Sequence, residues 1–433
     1  IYNFKSIKNN LLKFGYSFKT SSDTEVLLYA YLQYGIDFID ELIGMFAFAI
    51  YDKRSKETYI VRDRLGIKPL YYFRNHEGLT FSSEIKSILS LENQHRFESN
   101  ENAVSSYMSF RYPILNDTFF KDILVLPPGN YIHIKENEVS IKEYWSFSDK
   151  LEEQNFDRGE EYYLRKLREI LESSVKLRMI SDVPIGSFLS GGVDSSVITA
   201  IMAENSAEPV NTFTIGFDEE GYNEFAYAKE VAEQYKTKHH EILLSGQDYL
   251  SNMEKLIEYK DAPLSVPNEV PLFLMSRELK KYITVVLSGE GADEIFGGYG
   301  RIFRSTYDYE RHKRYNSDKG VDELEDINTF NQNFAVKYGN KKFSSSLEHF
   351  FNIYSYSSDS EKESLLSHRI HNSANENRLK EHVASCFKEV ENHPYESQIM
   401  YLFEKVHLQG LLSRVDTTTM AASVEARVPF VDH

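Results

Sequence analysis

The chain is 433 residues long, with 41% hydrophobic and 27% charged residues, which is enough for two or three globular domains, each with its own core. Its 49 Lys plus Arg against 66 Asp plus Glu give a net charge of −17, which repels nucleic acid, and no basic patch offsets it. The longest apolar run, Gly44 to Ile50, falls far short of the ~20 residues a membrane helix needs, so no part is expected to span a bilayer.

The chain opens on Ile1 with no basic segment ahead of an apolar run, so no secretory signal is read and the start reads as an internal cut. Good N-terminal residues at Ser22 and Asp23 predict an amphipathic helix from Asp23 to Gln33 that ends near Gly35. Gly44 to Tyr51 and Glu57 to Arg62 read as strands flanking a turn at Asp52 to Lys56. Leu70 to Phe73 and Leu79 to Ser82 read as a further strand pair extending the same sheet. The region up to Trp145 is therefore expected to be rich in antiparallel strands.

Charged and turn-prone residues from Ser146 to Arg158 predict a linker. Apolar residues at helical spacing from Tyr162 to Met179 open a new domain. Short apolar strands (Val183 to Leu189, Asn211 to Phe217, Tyr282 to Leu287) then alternate with helices (Ser195 to Glu204, Glu224 to Tyr235, Pro271 to Lys281). That alternation predicts a parallel sheet with ligands at the carboxyl ends of its strands. Arg301 to Ser397 is polar, aromatic-rich and read as mostly helical. The single cysteine, Cys386, in a helical-looking stretch from Arg378 to Val390, rules out an internal disulfide framework and points to a reducing cytoplasm. The end at Val431-Asp432-His433, directly after a dense hydrophobic run, reads as a domain cut short.

Phe188-Leu189-Ser190-Gly191-Gly192-Val193-Asp194-Ser195-Ser196 lies between a predicted strand and a predicted helix. Two glycines let the backbone approach an anion, the serine hydroxyls of Ser190 and Ser195 can donate, and the helix start presents unpaired N–H groups. No lysine follows the glycines, so this is not a Walker loop, and the γ-phosphate is not expected to be the group transferred. A second cluster, Ser288-Gly289-Glu290-Gly291-Ala292-Asp293-Glu294, again follows an apolar strand. Asp293 and Asp194 are candidates to hold a Mg²⁺ ion between phosphate oxygens. Glu290 is then expected to be free for proton handling. The competing reading is that these carboxylates merely start a helix and complement its dipole.

The first run is similar to the S-G-G-x-D-S loop of enzymes that split ATP between its α- and β-phosphates. Together the motifs resemble the asparagine synthetase family. In the first half the likeness is carried by Ser22-Asp23, Gly44-Met45-Phe46-Ala47-Phe48, Arg62 through Tyr72 and Ser83-Glu84-Ile85-Lys86. In the second it is carried by Ser181 through Gly186, the two loops, and Ser423-Val424-Glu425-Ala426-Arg427-Val428-Pro429-Phe430.

The resemblance implies a partial α+β class II amidotransferase of Ntn-type sandwich over residues 1–146. It implies an α/β ATP-pyrophosphatase domain, like the adenine nucleotide α-hydrolases, over residues 159–433, incomplete at its C-terminus. It implies that Asp23 contacts the amino group of glutamine, although Ser22 or Asp23 is equally readable as a helix N-cap. Phe188 and Ile215, with Ser288 and Gly289, would hold adenine and ribose, and Glu290 would support formation or breakdown of a β-aspartyl-AMP intermediate. His239-His240-Glu241 lacks the H-E-x-x-H spacing of a zinc site and is read as capping a strand edge.

The implied reaction takes ATP, aspartate, glutamine and water to AMP, diphosphate, asparagine and glutamate, in the cytoplasm, with dimers as the family's usual assembly. Two alternatives remain open: amidation of another carboxylate, such as a uronic acid or a β-amino acid, and a non-catalytic nucleotide-sensing relative. The chain departs from the family pattern in having no cysteine before Cys386, where an N-terminal cysteine nucleophile is implied. The implied catalytic lysine also falls beyond His433. The chain as it stands is therefore expected to be inactive in both half-reactions.

Overall fold

A computed structural model describes residues 1–92, 95–136, 138–148, 157–219, 221, 223–315, 327–339, 343–368, 370 and 373–433. Most of the linker expected at Ser146 to Arg158 lies outside the described residues. The chain divides into two compact units. The first comprises Ile1–Glu98, Lys121–Gly291 and Leu411–His433; the second comprises Ser99–Phe120 and Ala292–Gly410.

The first unit begins with helices α1 (Phe4–Lys13) and α2 (Asp23–Tyr34), followed by strands β1 (Ala47–Asp52) and β2 (Glu57–Arg62). The hairpin closes because the Asp52 carboxylate accepts from the Arg54 N–H at 2.8 Å. Next come β3 (Tyr71–Arg74), β4 (Leu79–Ser82) and α3 (Ile85–Leu91), then α4 (Glu101–Phe110) of the second unit, then β5 (Ile123–Val125), β6 (Asn130–Lys135) and β7 (Glu138–Glu143).

The expectation that the β3/β4 pair extends the first sheet is wrong. One sheet runs β1-β2-β6-β7 and a separate one runs β4-β3-β5. The cause is that β6 takes the free edge of β2, so β3 pairs with β5 instead. The period of two along β2 then serves both faces. Tyr59 and Val61 pack with Val26, Ala30 and Leu11 from the helices. Ile60 packs with Leu70, Leu126 and Ile132, which joins the two sheets face to face.

The parallel part of the first unit contains α5 (Glu160–Arg178), β8 (Ile185–Phe188), α6 (Val193–Glu204), β9 (Asn211–Phe217), α7 (Phe225–Gln234), β10 (Lys238–Leu244), α8 (Gly246–Lys260), α9 (Glu269–Leu279) and β11 (Val285–Leu287). A late strand, β12 (Glu425–Arg427), completes it. All five strands are parallel, in the order β10-β9-β8-β11-β12. The first strand in the chain, β8, is thus central; β9 and β10 are laid down on one side of it and β11 and β12 on the other. The connections diverge between β8 and β11, and such a switch point leaves a crevice at the carboxyl ends of the two strands. His239, His240 and Glu241 lie within edge strand β10, where His240 stacks on Phe213 with ring centroids 4.8 Å apart.

The second unit is helical, as the reading of Arg301 to Ser397 anticipates. To α4 it adds α10 (Ala292–Phe296), α11 (Gly300–Tyr315), α12 (Ile327–Tyr338), α13 (Ser346–Tyr354), α14 (Asp359–Leu365), α15 (Ser373–Glu389) and α16 (Tyr395–Leu402). Buried Lys362 donates to Glu376 at 2.6 Å and to Ser109 at 3.0 Å, and Glu376 also accepts from Ser105, so α4, α14 and α15 share one satisfied polar cluster. Cys386 is buried in α15. A π-helical turn, Phe403–His407, leads into α17 (Leu408–Met420), which begins in the second unit and ends in the first. Among the described residues no helix is long and apolar enough to cross a membrane.

Candidate active site

The crevice at β8 and β11 is built by two glycine loops. After Phe188, the last residue of β8, Gly191 adopts φ +85°, a conformation L residues rarely take, and a Cβ there would lie 2.5 Å from Tyr227 on α7. Only glycine fits on both counts. Ser190 and Ser195 bond to each other through their hydroxyls at 3.1 Å, and the Gly192 N–H donates to Ser190 Oγ at 3.2 Å, which closes the loop on itself. Gly192, the N-cap of α6, has no side chain to cap the helix, so the helix start turns its positive end towards the loop. The loop and helix start thus have the backbone arrangement on which the expectation of a phosphate cradle rests.

The second loop meets the first. Ser288 N–H donates to Arg427 O at 2.8 Å, and a Cβ on Gly289 would lie 3.1 Å from Ser195 N and 3.2 Å from Asp194 Cβ. Ser190 to Ser195, Ser288 and Gly289 are therefore assembled within the first unit. Phe188 pairs with Phe213, and Ile215 lies inside β9 with its side chain packed into the core, which leaves their backbones as the groups available to a ligand.

Glu290 is not free, contrary to expectation. Its two carboxylate oxygens lie 3.2 and 3.3 Å from the Arg414 guanidinium on α17, because an arginine with a side chain only 12% exposed needs a counter-charge.

Asp293 and Glu294 belong to the second unit, whereas Asp194 belongs to the first. Both sit in the first turn of α10, as the helix-start alternative holds. Glu294 is 1% exposed, accepts from the Tyr299 hydroxyl at 2.5 Å, and lies 3.4 Å from His407 Nε2. Burial pulls its carboxyl upward, but the His407 and Tyr299 donors hold it below the usual range. Asp293 shows the opposite balance: burial and the Glu294 charge push its carboxyl up, and no side-chain hydrogen bond engages it among the described residues. A hard oxygen donor left in a field of negative charge suits a Mg²⁺ ion, which needs only one or two carboxylates. No group of three or more His, Cys, Asp or Glu suited to a metal occurs among the described residues.

A second feature lies in the amino-terminal part of the first unit. Ser22, rather than Asp23, caps α2, its Oγ accepting from Thr24 N–H at 3.2 Å. The Asp23 carboxylate is thereby left for a different partner, the Ile1 nitrogen, at 2.9 Å. Burial opposes the charge on Asp23, yet the Ile1 nitrogen and the local donors of Thr24 and Ser22 hold its carboxyl below the usual range. Asp23 lines a cavity of about 400 Å³ with Met45, Phe48, Lys68, Tyr259 and Asp416. Its wall thus draws on the β-sandwich and on α8 and α17.

Sequence reasoning missed what holds that wall. The Asp63 carboxylate accepts from four backbone N–H groups, those of Phe46, Leu65, Ile67 and Lys68. Arg62 donates to the carbonyls of Lys68, Leu126 and Gly66, and Arg64 to those of Leu42 and Asp40. The motif from Arg62 to Lys68 is therefore a structural knot, and it delivers Lys68 to an ion pair with Asp416 on α17 at 2.7 Å. The available signal was in α17, where Arg414 and Asp416 interrupt the apolar frame of Leu411, Leu412 and Val415.

The family model of asparagine synthase matches residues 166–433, more than half of the chain, and that of the glutamine amidotransferase domain matches residues 1–145. The chain belongs to the asparagine synthase family. Asparagine synthetase [glutamine-hydrolyzing] 1 of Bacillus subtilis (strain 168) is 32% identical over 435 residues, covering 100% of this chain and 67% of its own length. Asparagine synthetase [glutamine-hydrolyzing] 3 of the same organism is 29% identical over 449 residues, covering 100% and 67% respectively. A putative asparagine synthetase [glutamine-hydrolyzing] 2 of Methanocaldococcus jannaschii is 35% identical over 303 residues, covering 69% of this chain and 57% of its own. The chain thus spans 57% to 67% of the length of these asparagine synthases.

Proposed function

We propose that this chain forms most of a glutamine-dependent asparagine synthetase acting in the cytoplasm, with an amidotransferase part at residues 1–146 and an ATP-pyrophosphatase part at residues 159–433. The observation that carries the reading is the meeting of the Ser190–Ser195 loop with Ser288 and Gly289 at the switch point of the parallel sheet. Two backbones that close together leave N–H groups rather than side chains to face a nucleotide.

In this reading the phosphates lie at the start of α6, and adenine and ribose contact the backbones of Phe188, Ile215, Ser288 and Gly289. Asp194 and Asp293 would hold Mg²⁺, which supplies neutralisation of charge on the departing pyrophosphate. The aspartate side-chain carboxylate attacks the α-phosphorus; the bond to the bridging oxygen breaks, and pyrophosphate leaves. Ammonia then attacks the carbonyl carbon of the β-aspartyl-AMP, gives up a proton and expels AMP, leaving asparagine. The Arg414 pairing fixes the direction of the Glu290 carboxylate beside that centre, so Glu290 orients and stabilises rather than standing as an isolated base. Holding the reactants on two preformed loops supplies the orientation the step requires.

Ammonia would come from glutamine whose α-ammonium is bound by Asp23, whose carboxylate lines the cavity of the amino-terminal part. Hydrolysis needs a nucleophile that Cys386, buried in the helical unit, does not supply.

The test uses the full-length protein with ATP, Mg²⁺, aspartate and either glutamine or ammonium, following pyrophosphate and asparagine together. Asparagine from both nitrogen sources is expected. Asparagine from ammonium alone would remove the glutaminase, and pyrophosphate without asparagine would remove aspartate as the acceptor.

A further inference from the structure

We infer that His407, acting through Glu294, is a positioning residue that sets the direction of the Asp293 carboxylate; the inference rests on the proposed role of Asp293 as a metal ligand. α10 has five residues, too few to hold a helix by themselves, so something outside it must fix its orientation. Glu294 provides that anchor. Its buried carboxylate takes the Tyr299 hydroxyl at 2.5 Å and faces His407 Nε2 at 3.4 Å.

An ionised carboxylate only accepts, so His407 faces Glu294 with an Nε2–H, and its Nδ1 pairs with the Tyr354 hydroxyl at 2.6 Å. The chain of contacts runs Tyr354, His407, Glu294, Tyr299. The rings of Tyr299, Tyr354 and Phe403 pack around His407 at centroid distances of 5.7, 5.7 and 5.2 Å, which fixes its plane.

The helix itself is altered to make this contact. His407 closes the π-helical turn Phe403–His407. One residue more or less in a helix rotates everything beyond it by about 100°, so a regular turn there would aim residue 407 elsewhere. Single π turns gather at functional positions.

Asp293 depends on this arrangement because it has no other restraint of its own. Its carboxylate makes no side-chain hydrogen bond among the described residues, and it lies over Gly298, where a Cβ would overlap Oδ1. Gly298 N–H donates back to Asp293 O at 2.9 Å, and Gly297 turns the chain at φ +69°. The carboxylate therefore points where α10 and the Gly297-Gly298 turn send it, and Glu294, the next residue, is what fastens α10.

The experiment measures Mn²⁺ affinity, by electron paramagnetic resonance, of the full-length protein saturated with a non-hydrolysable ATP analogue, alongside thermal melting. H407A is expected to weaken Mn²⁺ binding about tenfold, the usual effect of removing the group that orients a metal ligand, with a lowered melting temperature that still lies above the assay temperature. H407Q, whose amide can still donate to Glu294, is expected to restore most of the affinity. Unchanged Mn²⁺ affinity in H407A overturns the inference, as does an H407Q as weak as H407A. D293N separates the two levels: weakened binding in D293N with a silent H407A defeats the positioning role alone, and unchanged binding in D293N defeats the metal assignment beneath it. Should H407A fail to fold, Y299F removes the other donor to Glu294 and carries the same expected weakening, with unchanged affinity again overturning the inference.

Discussion

Lys68, in the turn after β2, pairs with Asp416, on α17, at 2.7 Å, and so ties the amidotransferase-like sandwich to the last helix of the first unit. Asp416 is only 5% exposed. Breaking a buried pair from one side leaves an uncompensated charge, whereas replacing both members does not. K68M or D416N alone is expected to cost roughly 3 kcal/mol in urea unfolding, and K68M/D416L clearly less than the two single costs added. Additive costs in the double mutant would show that the pair contributes no coupling.

At the phosphate loop, G191A meets two obstacles, a left-handed backbone and the backbone of Tyr227. Aspartate-dependent exchange between pyrophosphate and ATP is expected to fall by at least tenfold, a barrier increase of about 1.4 kcal/mol. Near-normal exchange in G191A would place the nucleotide elsewhere.

Asp23 offers a clean separation of the two half-reactions in the full-length protein. A charge-assisted hydrogen bond contributes about 1.5–3 kcal/mol, so D23N is expected to raise the KM for glutamine on the order of tenfold to a hundredfold. Ammonium-dependent synthesis should be untouched, and equal losses with both nitrogen sources would refute the assignment.

His349 gives a pH signature in the helical unit. Burial lowers its pKa from 6.5 to about 4, since its Nε2 has no hydrogen-bond partner among the described residues and its ring stacks on Tyr309. The unfolded chain therefore binds the extra proton first, and stability falls as pH drops from about 6.5 towards 4. Replacement by phenylalanine should flatten that dependence while costing some stability at pH 7 through the lost Tyr395 contact. Urea midpoints at pH 7 and pH 5 test this; equal slopes in the two proteins would exclude His349 as the source.

Local chemistry made much of this legible in the sequence. β2, β4 and β9 fall on the expected residues because alternation, or an apolar run bounded by turn residues, defines a strand without reference to its neighbours. The tight turn at Gly191 was legible because its left-handed backbone calls for glycine, whereas its closeness to α7 was not. Pairing decisions were not legible: that β3 joins β5 depends on β6 having occupied β2, a competition between segments some 70 residues apart. The engagement of Glu290 was hidden for the same reason, since Arg414 lies far along the chain. Strand β10 went unread as an element of the parallel sheet, although His239-His240-Glu241 within it was read as belonging to a strand edge.

The second unit's main segment, Ala292–Gly410, is spelled out between β11 and β12, which are neighbours in the sheet. During synthesis about 140 residues separate the emergence of the two strands, which at 5–20 residues per second is roughly 7–28 s. Throughout that interval β11 exposes an unpaired, apolar edge to other nascent chains, the situation in which strands recruit the wrong partner. The closing strand arrives last, so yield in a cell should respond to translation speed and to holding chaperones more than the stability of the finished sheet would suggest.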